Sequence, residues 1–287
     1  MKHKLTITLI LLGMFLLAQY LGLSVLYKYI DPLRTQQEGK IVFKDLPIGE
    51  RPPLEEKTSY LSIMLTILIG TAILFILLKY NLHWIWKAWF LLAVVLSLTI
   101  SFSAFITVLP AFLLALLLGL WKILRPNIIV HSFIELFIYG GLAVIFVPVL
   151  NLFSMSILLI LIAAYDAYAV WKSKHMITLA KAQTQQKLFA GLIIPYKMPS
   201  FQRKIVHPHK VRTAVLGGGD IGFPLLFAGV ILKEIGFWQS LIIPLFALLG
   251  LGYLLWFGKE KKFYPAMPFI GAGCFVGLGV VWMLRFM

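Results

Sequence analysis

The sequence is poor in the residues from which soluble enzymes build metal centres, disulfides and hydrated surfaces. One cysteine, Cys274, occurs in 287 residues and lies inside an apolar run. A single thiol excludes an intrachain disulfide framework and a cysteine metal cluster. Only 13% of residues are charged and only 11 are acidic, against roughly a quarter charged in ordinary soluble domains. No internal repeat and no low-complexity tract is present. A soluble enzyme, a disordered chain and a peripheral membrane protein are excluded.

What is present is hydrophobic. Apolar types make up 61% of the chain and the mean hydropathy is +0.93. A spanning helix takes roughly 20 apolar residues, and about nine such runs lie near 5–27, 59–78, 86–106, 109–124, 127–147, 149–171, 213–233, 236–257 and 264–285. The expected fold is therefore all-α, a multi-pass membrane bundle of about nine helices. It divides into an amino-terminal bundle of six spans over 1–171, a basic loop over 172–212 and a carboxyl-terminal bundle of three spans over 213–287. The first run is too long for a signal-peptide core and no small-x-small cleavage site follows it, so it reads as a retained span.

The net charge of +15 would point to nucleic acid in a soluble domain; here membrane orientation accounts for it and no nucleic-acid partner is expected. With the amino terminus placed in the cytoplasm, 18 of the 26 Lys and Arg fall on the inner side, Lys122 among them. The carboxyl terminus is then outside, in the cell membrane of a microbe. The 172–212 loop holds nine Lys/Arg, three His (His175, His207, His209) and no acid, the composition of a loop resting on anionic headgroups. No partner ligands stand near His207 and His209 in the sequence, so no metal is expected there, and no oligomerisation signal is readable.

Three acids fall within spans: Glu135, Asp166 and Asp220. An ionisable group in hydrocarbon costs roughly 2.5–3.5 kcal/mol on insertion scales and marks a functional position by default. Asp166 lies in Ala164-Tyr165-Asp166-Ala167-Tyr168, near the end of the sixth span; Asp220 follows Gly217-Gly218-Gly219 near the start of the seventh. Because the cytoplasmic loop joins these spans, both acids are expected at nearly the same depth, about 7–10 Å in at 1.5 Å per residue. Two neighbouring carboxyl groups cannot both ionise easily, which supplies a general base and a general acid in one site. That combination suits direct attack of water on an amide, with no metal and no cofactor. The three glycines permit close backbone approach beside Asp220, or equally tight helix packing. Pro224 cannot donate to the carbonyl of residue 220. Pro265 and Pro268 bracket Ala266-Met267 at the head of the last span, on the same membrane level. Glu135 is expected to pack with its proton on, or to pair with His131 one turn away.

Tyr-Asp in one span, Gly-x-Gly-Asp in the next and Pro-Ala-Leu at the head of the last resemble the presenilin and signal peptide peptidase family of intramembrane aspartyl proteases, most of all its archaeal members. They read here as Tyr165-Asp166, Gly217-Gly218-Gly219-Asp220 and Pro265-Ala266-Met267, with Met267 where the family usually has Leu. The resemblance is detailed over about 149–285 and only topological before that. It implies that Asp166 and Asp220 are the catalytic pair. Gly217, Gly218 and Gly219 would shape the site, and Pro265, Ala266 and Met267 would line the substrate approach with Tyr165 beside the dyad. The substrates implied are transmembrane helices or signal-peptide remnants, met within the bilayer. A stretch at Val211–Leu216 is a candidate strand for pairing with an unwound substrate, and otherwise the first turn of the seventh span. The competing functions are a proton- or cation-coupled transporter or channel, a prepilin- or preflagellin-type membrane peptidase, and a catalytically silent relative.

Overall fold

The computed structural model describes residues 5–125, 127–172, 189–195, 213–259 and 264–286. Its helices are α1 (Leu5–Lys28), α2 (Pro32–Glu38), α3 (Ser59–Lys79), α4 (His83–Ser103), α5 (Val108–Leu124), α6 (Ile128–Phe146), α7 (Leu152–Trp171), α8 (Gly218–Glu234), α9 (Phe237–Ser240), α10 (Ile242–Phe257) and α11 (Met267–Phe286). Two strands, β1 (Gly191–Pro195) and β2 (Thr213–Gly217), form an antiparallel pair in which Gly191 faces Gly217 and Pro195 faces Thr213.

Three helices begin where the sequence supplies a side-chain acceptor for the orphan amides of a first turn. Asp31 accepts from Leu33 and Arg34 before α2. Asn127 accepts from the Ile129 amide before α6, and Asn151 from the Ser154 amide before α7. Among the described residues, each expected span has its helix, and with α9 and α10 taken together as Phe237–Phe257, seven are long and apolar enough to cross a membrane by length and composition. Two fall short of that length: α5 and α8 have 17 residues each, about 25 Å at 1.5 Å per residue.

For α8 the shortfall has a definite cause. The expected span began at residue 213, but Thr213–Gly217 is the strand β2 and the helix starts only at Gly218. Consecutive glycines are poor helix formers, while the preceding segment alternates Ala214 and Leu216, buried, with exposed Val215, a strand's periodicity. Non-helical backbone at membrane depth is tolerated only where protein or water surrounds it. Here β1 supplies one side. A segment of the expected 172–212 loop is thus part of the folded bundle; the rest of that loop, including His175, His207 and His209, lies outside the described residues.

Helix α8 is the axis of the carboxyl-terminal half, packing on α1, α6, α7, α10 and α11. Every residue from Pro224 to Leu232 is buried, the all-round burial of a helix with no lipid face. Pro224 sits inside α8 without ending it. Close by, the buried Gln19 amide of α1 donates to the Ile221 carbonyl at 2.8 Å, adding a partner where proline disturbs the ladder. By contrast α3 presents Leu61, Leu65, Ile69, Ile73 and Ile76 outward.

Helices α10 and α11 approach until backbone meets backbone. A methyl group built on Gly250 would fall 2.2 Å from the Phe269 carbonyl oxygen, and one on Gly273 would fall 2.3 Å from that of Phe246. Alanine at either position requires the helices to separate. Gly250→Ala and Gly273→Ala are expected to destabilise by about 1–3 kcal/mol each, read as lowered thermal midpoints in detergent; Gly13→Ala, with nothing within 4 Å, is the neutral control.

Beyond the end of α1, the Tyr29 hydroxyl donates to the Ile100 carbonyl at 2.7 Å, and Arg51 reaches the Val144 and Lys44 carbonyls. Burial pushes the Tyr29 hydroxyl from 10.0 up to about 12, with the Arg51 charge opposing. A raised folded value stabilises fully below the unfolded pKa and is lost as pH rises through the folded one. The difference in thermal midpoint between wild type and Tyr29→Phe should therefore be constant below pH 10 and shift against the wild type towards pH 12.

Candidate active site

Asp166 lies one turn and a half before the end of α7 and is 5% exposed. Its Oδ2 accepts a hydrogen bond from the Met267 amide at 3.1 Å, and the Ala266 amide also donates to this carboxyl group. The helix start explains why these donors are available. Met267 opens α11, so its amide and that of Ala266 have no helical carbonyl one turn back and point at a side chain instead. Pro265 and Met267 are buried and Ala266 and Tyr165 are half-buried.

Asp220 is the third residue of α8, with Gly217 at the cap and no side chain capping it. Its carboxylate curls back over the cap: a methyl group on Gly217 would lie 3.2 Å from Asp220 Oδ2. A helix start is the electrostatically favourable place for an acid, because its first amides are unpaired and carry positive partial charge. Gly219 is exposed and a methyl there would meet only the Phe223 ring at 3.4 Å. Gly218 donates its amide to the Ala190 carbonyl at 3.1 Å, tying the turn before Asp220 to the residue before β1.

Helices α7, α8 and α11 pack mutually. Alternating passes put the end of α7 and the starts of α8 and α11 at one end of the bundle, and the bond from Met267 to Asp166 joins two of these ends directly. Tyr139 of α6 reaches the same place: its hydroxyl would lie 3.0 Å from a methyl on Gly218, and it feels the Asp220 charge. Among the described residues, no group of three His, Cys, Asp or Glu is arranged to hold a metal ion.

The sequence matches the family described as "Signal-peptide peptidase, presenilin aspartyl protease" over residues 43–285. The chain belongs to that family. Two solved structures of a presenilin family intramembrane aspartate protease, in space groups C222 and P2, superpose on it with a TM-score of 0.65 at 20% identity. They cover 96% of this chain, which in turn covers 99% and 96% of theirs, and they agree in fold. No curated protein matches the sequence. This presenilin-family protein is accordingly a multi-pass intramembrane aspartyl protease, and the transporter reading is set aside.

Sequence reasoning singled out Glu135 and His131 but missed Lys122 as a partner. Lys122, counted above as a cytoplasmic surface charge, is 3% exposed and forms an ion pair with Glu135, which is 1% exposed. Glu135 also accepts from the Tyr139 hydroxyl at 2.5 Å and from the Gly191 amide at 3.1 Å. His131 stands 3.9 Å from the Glu135 carboxylate, within ion-pair distance, and its Nε2 also bonds the Gly191 carbonyl at 2.8 Å. The signal for the Lys122–Glu135 pair was faint: two opposite charges at facing ends of consecutive spans. Gln19, whose amide donates to the Ile221 carbonyl, was not singled out from the sequence.

The crowding at Gly217 gives a graded expectation. Gly217→Ala should lower kcat by about tenfold by displacing the Asp220 carboxylate a fraction of an ångström, whereas Gly219→Ala should stay within about threefold of wild type. Steady-state cleavage of a transmembrane peptide, beside thermal midpoints, separates the two.

Proposed function

We propose that Asp166 and Asp220 are the catalytic pair of this protease. The reading is carried by the bond from the Met267 amide to Asp166, which joins a motif-bearing acid to the Pro265–Met267 element from a hundred residues away. In the reaction one carboxylate takes a proton from water as its oxygen attacks the scissile carbonyl carbon. The other, protonated, donates to the carbonyl oxygen. Collapse of the tetrahedral intermediate returns protons and releases the amine, with no covalent enzyme intermediate. The Ala266 and Met267 amides fix the direction of the Asp166 carboxyl group in the site. Gly217, Gly218 and Gly219 leave room for substrate backbone beside Asp220, and Pro265, Ala266, Met267 and Tyr165 border its path.

The substrates are transmembrane helices or signal-peptide remnants. A helix hides its amides in internal bonds and must unwind before attack. An unwound segment finds a partner in β2. Gly191 and Ile193 turn their polar backbone groups towards α6, so the register makes Leu192 and Ile194 bond Leu216 and Ala214, and leaves Thr213, Val215 and Gly217 facing the second edge of β2. Among the described residues no further strand pairs there. Val211 and Arg212, the first residues of the expected strand, lie outside the described residues. The charge asymmetry supports an orientation with the amino terminus in the cytoplasm and the site near the cytoplasmic face.

Purified protein in detergent, given a helical transmembrane peptide, should cleave it. Asp166→Asn and Asp220→Asn should each reduce turnover below detection, and cleavage persisting in both would overturn the assignment. Strand addition has its own test. Val215→Pro removes an amide that faces away from β1, so the β1–β2 ladder survives. It should raise KM by about tenfold or more, the worth of one lost hydrogen bond, with kcat close to wild type.

A further inference from the structure

Two buried charges, Lys122 of α5 and Glu135 of α6, are not accounted for by the proteolytic chemistry. A Lys–Glu pair of this kind contributes little net stability, because desolvation offsets attraction; losing one partner is what is costly. The pair is not needed to hold α5 to α6, which are joined by a short turn. Its geometry points elsewhere. Only one carboxylate oxygen of Glu135 meets Lys122; the other is aimed away from α5, at the Tyr139 hydroxyl (2.5 Å) and the Gly191 amide (3.1 Å).

Gly191 is the place where these contacts converge. Its amide goes to Glu135, and its carbonyl takes a hydrogen bond from His131 Nε2 at 2.8 Å, so that nitrogen carries the proton. Ser132 repeats the contact two residues on, donating to Ile193 at 3.3 Å. The φ of +142° at Gly191 is one that residues with a side chain rarely adopt. A methyl there would lie 2.2 Å from the Leu216 carbonyl oxygen and 3.0 Å from the Gly218 nitrogen. The clamped peptide thus touches both the end of β2 and the start of α8, two residues from Asp220. Tyr139 completes the circuit, with one contact on Glu135 and another against Gly218 and Gly222.

We propose that Glu135, paired with Lys122, is a positioning residue: with His131 it clamps the Gly191 peptide and thereby fixes the β1–β2 pair and the Gly218–Asp220 turn. The clamp acts on catalysis only through Asp220 and so rests on the assignment of that residue made above. Lys122 supplies the charge that makes a buried carboxylate affordable as a double acceptor, and Tyr139 transmits its position to the turn.

The test uses full-length protein in detergent and the charge-free pair Lys122→Met/Glu135→Leu, which removes the clamp without stranding a charge. Amide hydrogen exchange is read over 189–195 and 213–219 against the helices, with kcat, KM and thermal midpoint. The expected result is exchange faster by about tenfold or more in the two strands alone, with kcat down about 10²-fold, a larger change than any rise in KM. Should the double variant fail to fold, Tyr139→Phe, which removes one hydroxyl, is expected to show the same pattern at smaller amplitude. Unchanged exchange in the strands, or faster exchange spread evenly over all helices, overturns the clamp. The Asp220→Asn protein keeps the two readings apart: if it still cleaves, the catalytic assignment fails, while strand exchange continues to report on the clamp by itself.

Discussion

A carboxyl group in hydrocarbon has to be enclosed by protein that offers it polar partners, and the architecture of this chain follows from that requirement. Asp166 finds two backbone amides in the Pro265–Met267 segment. Asp220 finds a helix start. Asp166 is thus held by main-chain donors at the opening of α11, while Asp220 sits where the first amides of α8 carry positive partial charge. Donors of this kind are fixed in direction by the fold. The all-round burial of α8 follows, since a helix bearing such a turn at depth must be surrounded on every side.

Most of this was legible in the residues. The apolar runs, the two acids near the ends of consecutive spans and the proline-bracketed element all follow from local composition, because a membrane protein writes its spans as long hydrophobic stretches. The limit of that reading is visible at 213–217. Hydropathy alone treats an apolar strand and an apolar helix alike, and only the alternation of Ala214, Val215 and Leu216 distinguishes them. The partner strand at 191–195 was hidden in a segment whose overall composition is that of a basic surface loop.

Lys122 and Glu135 show a different limit. Counting basic residues by side treats every lysine near a span end as a surface charge, yet this one is sealed inside the bundle. A pairing between side chains on separate helices leaves no periodic trace along the chain. Its existence depends on how α5 and α6 face each other, which is a property of packing. The same holds for Gln19, whose partner lies 202 positions away.

The contacts at Gly250 and Gly273 have one more mechanical consequence. With main chain pressed against main chain at two levels, α10 and α11 have no compressible side-chain layer between them and cannot slide independently. Any tilt of α10 is therefore carried into α11, whose first amide holds Asp166.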